Sequence, residues 1–229
     1  MHIESIPLWT VYIHKIHIKE WSLVKDKLLS IIPWDEINQR KNDFARERID
    51  DPEHEMTWTD YFIQGADTSD AYEMTSSGID LQTPVKYISS SAQYEPIFLS
   101  MISPYLTQFL KRADYKFCEV SRVWTQRYSK GDYHPPHDHG PEGFACVFYA
   151  QLDPNLHLPT EFMQPWIPHT GNRDMDCPDN VVEGDLVIFP SNLMHMAPPH
   201  MSDKYRTCLL YTSDAADERS SVDLGGRRI

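Results

Sequence analysis

Cysteine is scarce in this chain and poorly spaced. The 229 residues hold four, at Cys118, Cys146, Cys177 and Cys208. No pair has the separation of a metal ribbon or a disulfide framework, so a reduced, cytoplasmic setting is the expectation. Basic residues are also short: 21 Lys and Arg stand against 34 Asp and Glu, a formal net charge of −13. That argues against a nucleic-acid backbone as main partner, because such binding neutralises phosphates with a basic surface. A nucleotide or modified base as substrate stays open, since local charge can differ from the total. No run of about twenty apolar residues occurs, so no membrane-spanning helix is expected. The opening Met1–Ile6 has neither a basic stretch nor an apolar one, so no secretory leader is expected. What is present is a globular composition, 41% hydrophobic and 12% aromatic, in a length that suits one domain with a proper core.

Helical patterns come first and strand patterns later. Trp9 to Ile18 alternates like a strand. Trp21, Val24, Leu28 and Ile31 or Ile32 are spaced for a helix that Pro33 stops. Asp35 to Asp51 is highly charged and reads as a solvated helix or loop. Thr57 to Ile63 reads as a strand, and residues 64–93 as loop with one short strand near Val85–Tyr87. Glu95 to Arg112 is a second helix, with Pro96 in its first turn and Pro104 predicting a kink. Candidate strands then follow at Phe117–Tyr128, Phe144–Leu152, Thr160–Trp166, Val181–Phe189 and Tyr205–Tyr211. This order predicts an α+β fold, mainly β, with no internal repeat.

The chemistry is concentrated in histidines. His134, Pro135, Pro136, His137, Asp138 and His139 stand in a row, and Gly184 to His195 follows later, with Arg206 beyond it. Residues two apart on an extended segment point the same way, so His137 and His139 share a face and Asp138 faces away. Gly184-Asp185 reads as a turn, Leu186–Phe189 as a buried strand ended by Pro190, and His195 as part of the next loop. Three such histidines on one side of an ion leave positions open for a chelating cosubstrate and O₂. Against this stands the plain reading of a His-x-His as a surface or turn pair. His134 is either a support to the metal ligands or simply solvated. His157, His169 and His200 sit in Pro-rich loops and are expected to be exposed. Trp124, Gln126 and Tyr128 share one strand face, either lining a pocket or packing a sheet. Arg122 and Arg127 are expected to be solvated or paired with surface acids. Met163 and Trp166 are read as core residues, with the pocket mouth as the alternative.

The segments HPPHDHGPEGFACVFYAQL and VVEGDLVIFPSNLMHMAPP, with Arg206 after them, resemble the 2-oxoglutarate- and Fe(II)-dependent oxygenases. The nearest branch is a small group of these enzymes common in marine bacteria and their phages. The resemblance covers about residues 118–207. It implies a double-stranded β-helix, a jelly-roll variant whose core spans about residues 117–207. It implies Fe(II) held by His137, His139 and His195, with 2-oxoglutarate as cosubstrate and O₂ as oxidant. Arg206 falls on the place that pairs with the far carboxylate of 2-oxoglutarate. Gln126 and Tyr128 fall on the strand that faces the cosubstrate, and His134 is the candidate supporting residue. The implied reaction is hydroxylation of a small-molecule or peptide substrate with release of succinate and CO₂. One departure stands out: most of the superfamily has His-x-Asp, and this chain has His137-x-His139.

Two rivals share these residues. A three-histidine cupin dioxygenase or isomerase would use the same pair without 2-oxoglutarate. It would leave Arg206 without a role, and Glu142 and Asn192 fit its motif poorly. A non-catalytic jelly roll that keeps a metal site is the third reading.

The end of the chain raises a separate point. Cys208 to Glu218 and Val222 to Ile229 resemble two translated sequencing-library adapters in one reading frame. The alternative is an ordinary polar tail. On the adapter reading, the domain spans 1–207 and 208–229 is foreign. Cys208–Tyr211 is apolar enough to pair as a strand, while Thr212 onward is expected to lie loosely or be disordered.

Overall fold

The computed structural model describes residues 10–38, 58–59, 85–87, 92–166 and 171–216. Its elements are β1 (His14–His17), α1 (Trp21–Ser30), β2 (Trp58–Thr59), β3 (Val85–Tyr87), α2 (Glu95–Ala113), β4 (Phe117–Tyr128), β5 (His134–His137), β6 (Phe144–Gln151), β7 (Glu161–Met163), β8 (Met175–Asp176), β9 (Asp185–Pro190), β10 (His195–Ala197) and β11 (Arg206–Ala216). Residues 34–38 are helical too.

The last eight strands pair as a long hairpin folded on itself. β4 pairs β11, β5 pairs β10, β6 pairs β9 and β7 pairs β8, all antiparallel. They fall into two sheets: one ordered β1-β9-β6-β11-β4-β2 with β3 beside β4, and one ordered β5-β10-β7-β8. That topology is the jelly roll, here as a double-stranded β-helix within an α+β chain.

Burial explains why the long strands were legible in the sequence. Along β6, Phe144, Cys146, Phe148 and Ala150 join the core under the helices, while Ala145, Val147 and Tyr149 join the core between the sheets. β9 and β11 alternate in the same way, through Leu186 and Ile188 against Val187 and Phe189, and Leu209 and Tyr211 against Cys208 and Leu210. Strands covered on both faces become continuous apolar runs. On β4 a register shift lies opposite Thr212 and Ser213, so one residue of β4 is extra. The bulge reverses the alternation there. Cys118, Val120 and Val123 therefore all face the helices, and Trp124 faces the inner core.

The helices cover the outer face of the larger sheet. α1 buries Trp21 and Leu28, and Trp21 meets Phe148 edge-on at 4.9 Å. α2 buries Phe98, Leu99, Ile102, Leu106, Phe109 and Leu110. Phe109 meets Phe144 at 5.0 Å. Pro96 occupies its first turn, where a missing N–H costs nothing. Lys111 and Arg112 in its last turn complement the helix dipole. The helix runs as one element through Pro104 and ends at Asp114 in the left-handed region, φ 60°.

Several boundaries differ from expectation. β1 is shorter than Trp9–Ile18, and β7 is shorter than Thr160–Trp166. Isolated short strands gain their pairing from neighbours, which local pattern does not report. The expected strand Thr57–Ile63 and the charged stretch after Asn38 lie mostly outside the described residues. His195 opens a strand, β10, rather than sitting in a loop. β11 runs to Ala216, past the expected limit at Tyr211. It lies between β4 and β6, and Ser213 is buried with its Oγ donating to Phe144 O at 3.3 Å. Thr212 to Ala216 is thus paired strand and not loose chain; β4 offers backbone partners to Ala216 and β6 to Ser213, whatever the side chains are.

Candidate metal centre

His137 ends β5 and His195 opens β10, and the two are direct cross-strand partners. His139 lies two residues beyond β5, where its N–H donates to Ser191 O at 2.9 Å. One nitrogen from each of His137, His139 and His195 lies within 4.8 Å of the other two, a group that could hold a metal ion. The spacing expected for a strand thus acts here across a strand end. Asp138 is exposed and accepts the Gly140 N–H at 3.0 Å. It stands outside the cluster, as alternation predicted.

The backbone decides which nitrogens point inward. His137 Nδ1 lies 2.8 Å from Pro135 O, and His195 Nδ1 lies 2.8 Å from Leu193 O. A carbonyl only accepts, so both rings donate from Nδ1 and keep their lone pair on Nε2. His195 Nε2 is buried and has no hydrogen-bond partner among the described residues. A buried nitrogen left this way is costly unless a ligand takes it. Burial, with the nearby charge of His137, lowers the His195 pKa to about 3. Burial, then the charge of His134, lowers that of His139 to about 4. Both rings are neutral at ordinary pH, as metal ligation requires. Phe189 packs edge-on to His195 at 4.7 Å, and Trp124 to His139 at 5.8 Å.

A small cavity adjoins the cluster, and Gln126, Tyr128, His134, His137, His195 and Arg206 line it. Arg206 is 2% exposed. One of its Nη groups donates to Leu158 O at 2.7 Å, its guanidinium lies 4.2 Å over the Tyr128 ring, and its buried Nε has no hydrogen-bond partner among the described residues. No carboxylate pairs with it among the described residues. Its neighbours Tyr149 and Cys208 have their pKa values raised by burial, Tyr149 to about 12. They are neutral and supply no counter-charge. A buried cation without an anion is a strong request for one.

The remaining polar residues form a chain. Tyr128 O–H donates to Gln126 Oε1 at 2.6 Å, and Gln126 Nε2 donates to His134 Nδ1 at 3.0 Å. His134 is half-buried and belongs to the cavity wall.

Other expectations need correction. His157 and His200 are 6% and 3% exposed, not on the surface. Each loop folds back on its own backbone: Asp153 N–H donates to His157 Nδ1 at 3.0 Å, and His200 Nε2 donates to Lys204 O at 2.6 Å. His169 lies outside the described residues. Met163 and Trp166 do not line the metal cavity; Met163 borders a separate surface groove, and Trp166 is 43% exposed rather than core. Arg127 has its guanidinium 3.3 Å from the Trp34 ring centre and 4.8 Å from that of Tyr205, so aromatic faces take the place of the expected acids or water. Sequence reasoning missed Thr160 in the cavity wall and the Leu158 carbonyl on Arg206. A backbone carbonyl leaves no side-chain signature to read.

Fold and site together define a jelly roll built around a candidate three-histidine centre with a buried arginine beside it. The family model described as "Putative 2OG-Fe(II) oxygenase" matches residues 122–211. That family implies Fe(II), 2-oxoglutarate and O₂, and the histidine triad fits an iron site. No curated protein matches the chain significantly. Among solved structures, an oxidoreductase of the 2OG-Fe(II) oxygenase family from Burkholderia pseudomallei is 14% identical, at TM-score 0.40 over 55% of this chain and 59% of that one. A Pseudomonas putida prolyl-4-hydroxylase is 14% identical, at TM-score 0.40 over 86% and 100%. A prolyl hydroxylase from Trichoplax adhaerens, solved with a hypoxia inducible factor oxygen degradation domain peptide fragment, is 11% identical, at TM-score 0.47 over 88% and 83%.

Proposed function

We propose that this chain is a 2-oxoglutarate- and Fe(II)-dependent dioxygenase that hydroxylates a small-molecule or peptide substrate. One observation carries the reading: a single cavity is lined both by His137 and His195 of the triad and by a buried guanidinium that pairs with no carboxylate among the described residues. His137, His139 and His195 would hold the iron. Three neutral imidazoles leave the ion its full charge, which suits a dianionic cosubstrate. Bound there, iron supplies the oxidative decarboxylation of 2-oxoglutarate to succinate and CO₂, coupled to oxygen insertion into a C–H bond. Arg206 anchors the far carboxylate by a charge-assisted pair. Gln126 and Tyr128 give that wall its polar character, while Val147, Ala197 and Leu210 keep the cavity dry. The four cysteines are free, which suits a reducing, cytoplasmic setting.

The ligand set without a carboxylate also suits a three-histidine cupin enzyme that uses no 2-oxoglutarate. Anaerobic titration of the Fe(II) protein with 2-oxoglutarate separates the two, through the metal-to-ligand charge-transfer band. Arg206→Ala removes an interaction worth about 1.5–3 kcal/mol, so the cosubstrate Kd rises roughly ten- to hundredfold. An unchanged affinity favours the cupin. Iron-dependent succinate release distinguishes an oxygenase from a jelly roll that merely binds metal.

A further inference from the structure

The function proposed above uses three histidines and leaves the fourth, His134, without a task. Its position is built by an irregularity. In a regular strand, residues three apart face opposite ways. Here His137 pairs with His195 and His134 with Ala197, so three steps along β5 face two along β10. The extra residue is a bulge, and it falls on Pro135 and Pro136, which have no N–H to give the ladder. The bulge turns His134 onto the same face as His137. The two rings stack at 4.0 Å between centres with 14° between planes.

The other edge of His134 is held as firmly. Tyr128 O–H on Gln126 Oε1 orients the amide, and the amide nitrogen then donates to His134 Nδ1. An accepting Nδ1 sets the neutral ring's proton on Nε2. Arg206 lies over the Tyr128 ring. A continuous series of contacts thus runs from the guanidinium through Tyr128, Gln126 and His134 to the face of His137. His137 has its Nδ1–H on Pro135 O, within the same bulge. His134 covers one face of that ring and limits its rotation about that bond, with His195 tilted against it at 4.3 Å and His139 edge-on at 5.1 Å.

We infer that His134 is a positioning residue: clamped by Gln126, it holds the His137 imidazole in the plane that aims Nε2 at the metal. This rests on the reading of His137 as a metal ligand. Groups that orient a ligating histidine from outside the ligand set are typically worth about ten- to hundredfold in metal affinity.

Co(II) bound to the full-length protein provides the test, since its visible absorption reports ligand geometry without turnover. In His134→Ala the Co(II) Kd rises by about ten- to hundredfold and the band shape changes. His134→Phe restores a flat ring on His137 and recovers most of the lost affinity. Gln126→Leu keeps His134 but releases it, and shifts the band in the same direction by less. Circular dichroism melts confirm that each variant is folded. Wild-type Co(II) affinity and spectrum in His134→Ala, with binding lost in His137→Ala, overturns the positioning role and leaves the metal site standing. Wild-type binding in His137→Ala as well means that the site itself is wrong.

Discussion

Among the described residues, histidines gather in two groups, and one of them could hold a metal. In the first, His137 and His195 give Nδ1–H to backbone carbonyls, which leaves Nε2 on each to converge with His139. In the second, the His157 and His200 rings lie 4.8 Å apart. There a backbone N–H takes the lone pair of His157 Nδ1, and a carbonyl takes the Nε2 proton of His200. Ring proximity is alike in both groups. The difference is which nitrogen the backbone claims, and therefore whether lone pairs or protons face the space between the rings. The His157 proton sits on Nε2, because Nδ1 accepts the Asp153 N–H, so this ring presents a donor where a cation would need an acceptor.

The comparison breaks most visibly in metal content. His195→Ala should abolish Fe(II) binding in anaerobically reconstituted protein, whereas His157→Ala should keep one equivalent, as measured by elemental analysis. Metal loss in both would mean the second pair also serves the centre. Next in size is stability. His157→Ala leaves the Asp153 N–H without its acceptor, at a cost of about 1–3 kcal/mol in urea unfolding. An unchanged midpoint would show that the second pair is not structural. A smaller effect is the pH dependence. Burial, then the charges of His200 and Arg206, lowers the His157 pKa below its ordinary 6.5. The unfolded chain therefore binds more protons just below pH 6.5, and stability rises with pH across that window. This contribution is complete above 6.5 and is lost as pH falls toward the folded pKa. His157→Gln should flatten the slope of stability against pH below 6.5; a slope equal to wild type assigns it to other groups. The smallest expected change is in His139→Asp, which exchanges one good ligand type for another and should retain iron. Loss of metal there would mean that position 139 points elsewhere.

The contrast also shows how far sequence reading reaches. The triad was legible because its members belong to patterns: a His-x-His, and a histidine after a glycine-led apolar strand. Arg206 was legible from its place after them. The second pair carries no pattern, because its partners are the backbone of Asp153 and Lys204. The long strands were legible because both faces are buried. β5, β8 and β10, of two to four residues, were not picked out as strands, since such segments acquire strand character from pairing. The apolar Cys208–Tyr211 allowed a strand, but composition could not show it continuing beside β6 to Ser213 and along β4 to Ala216.

By itself the sequence determined the inventory: which side chains could ligate, which could anchor an anion, and which segments had to be covered on two faces. Those follow from residue type and spacing, which act locally. The tertiary structure alone decided how they are used. Folding the long hairpin set His195 beside His137 and Arg206 under the same cavity wall. The Pro-Pro bulge turned His134 onto the face of His137. Backbone carbonyls chose the inward nitrogens, and that choice depends on atoms the chain brings together only when the two sheets close.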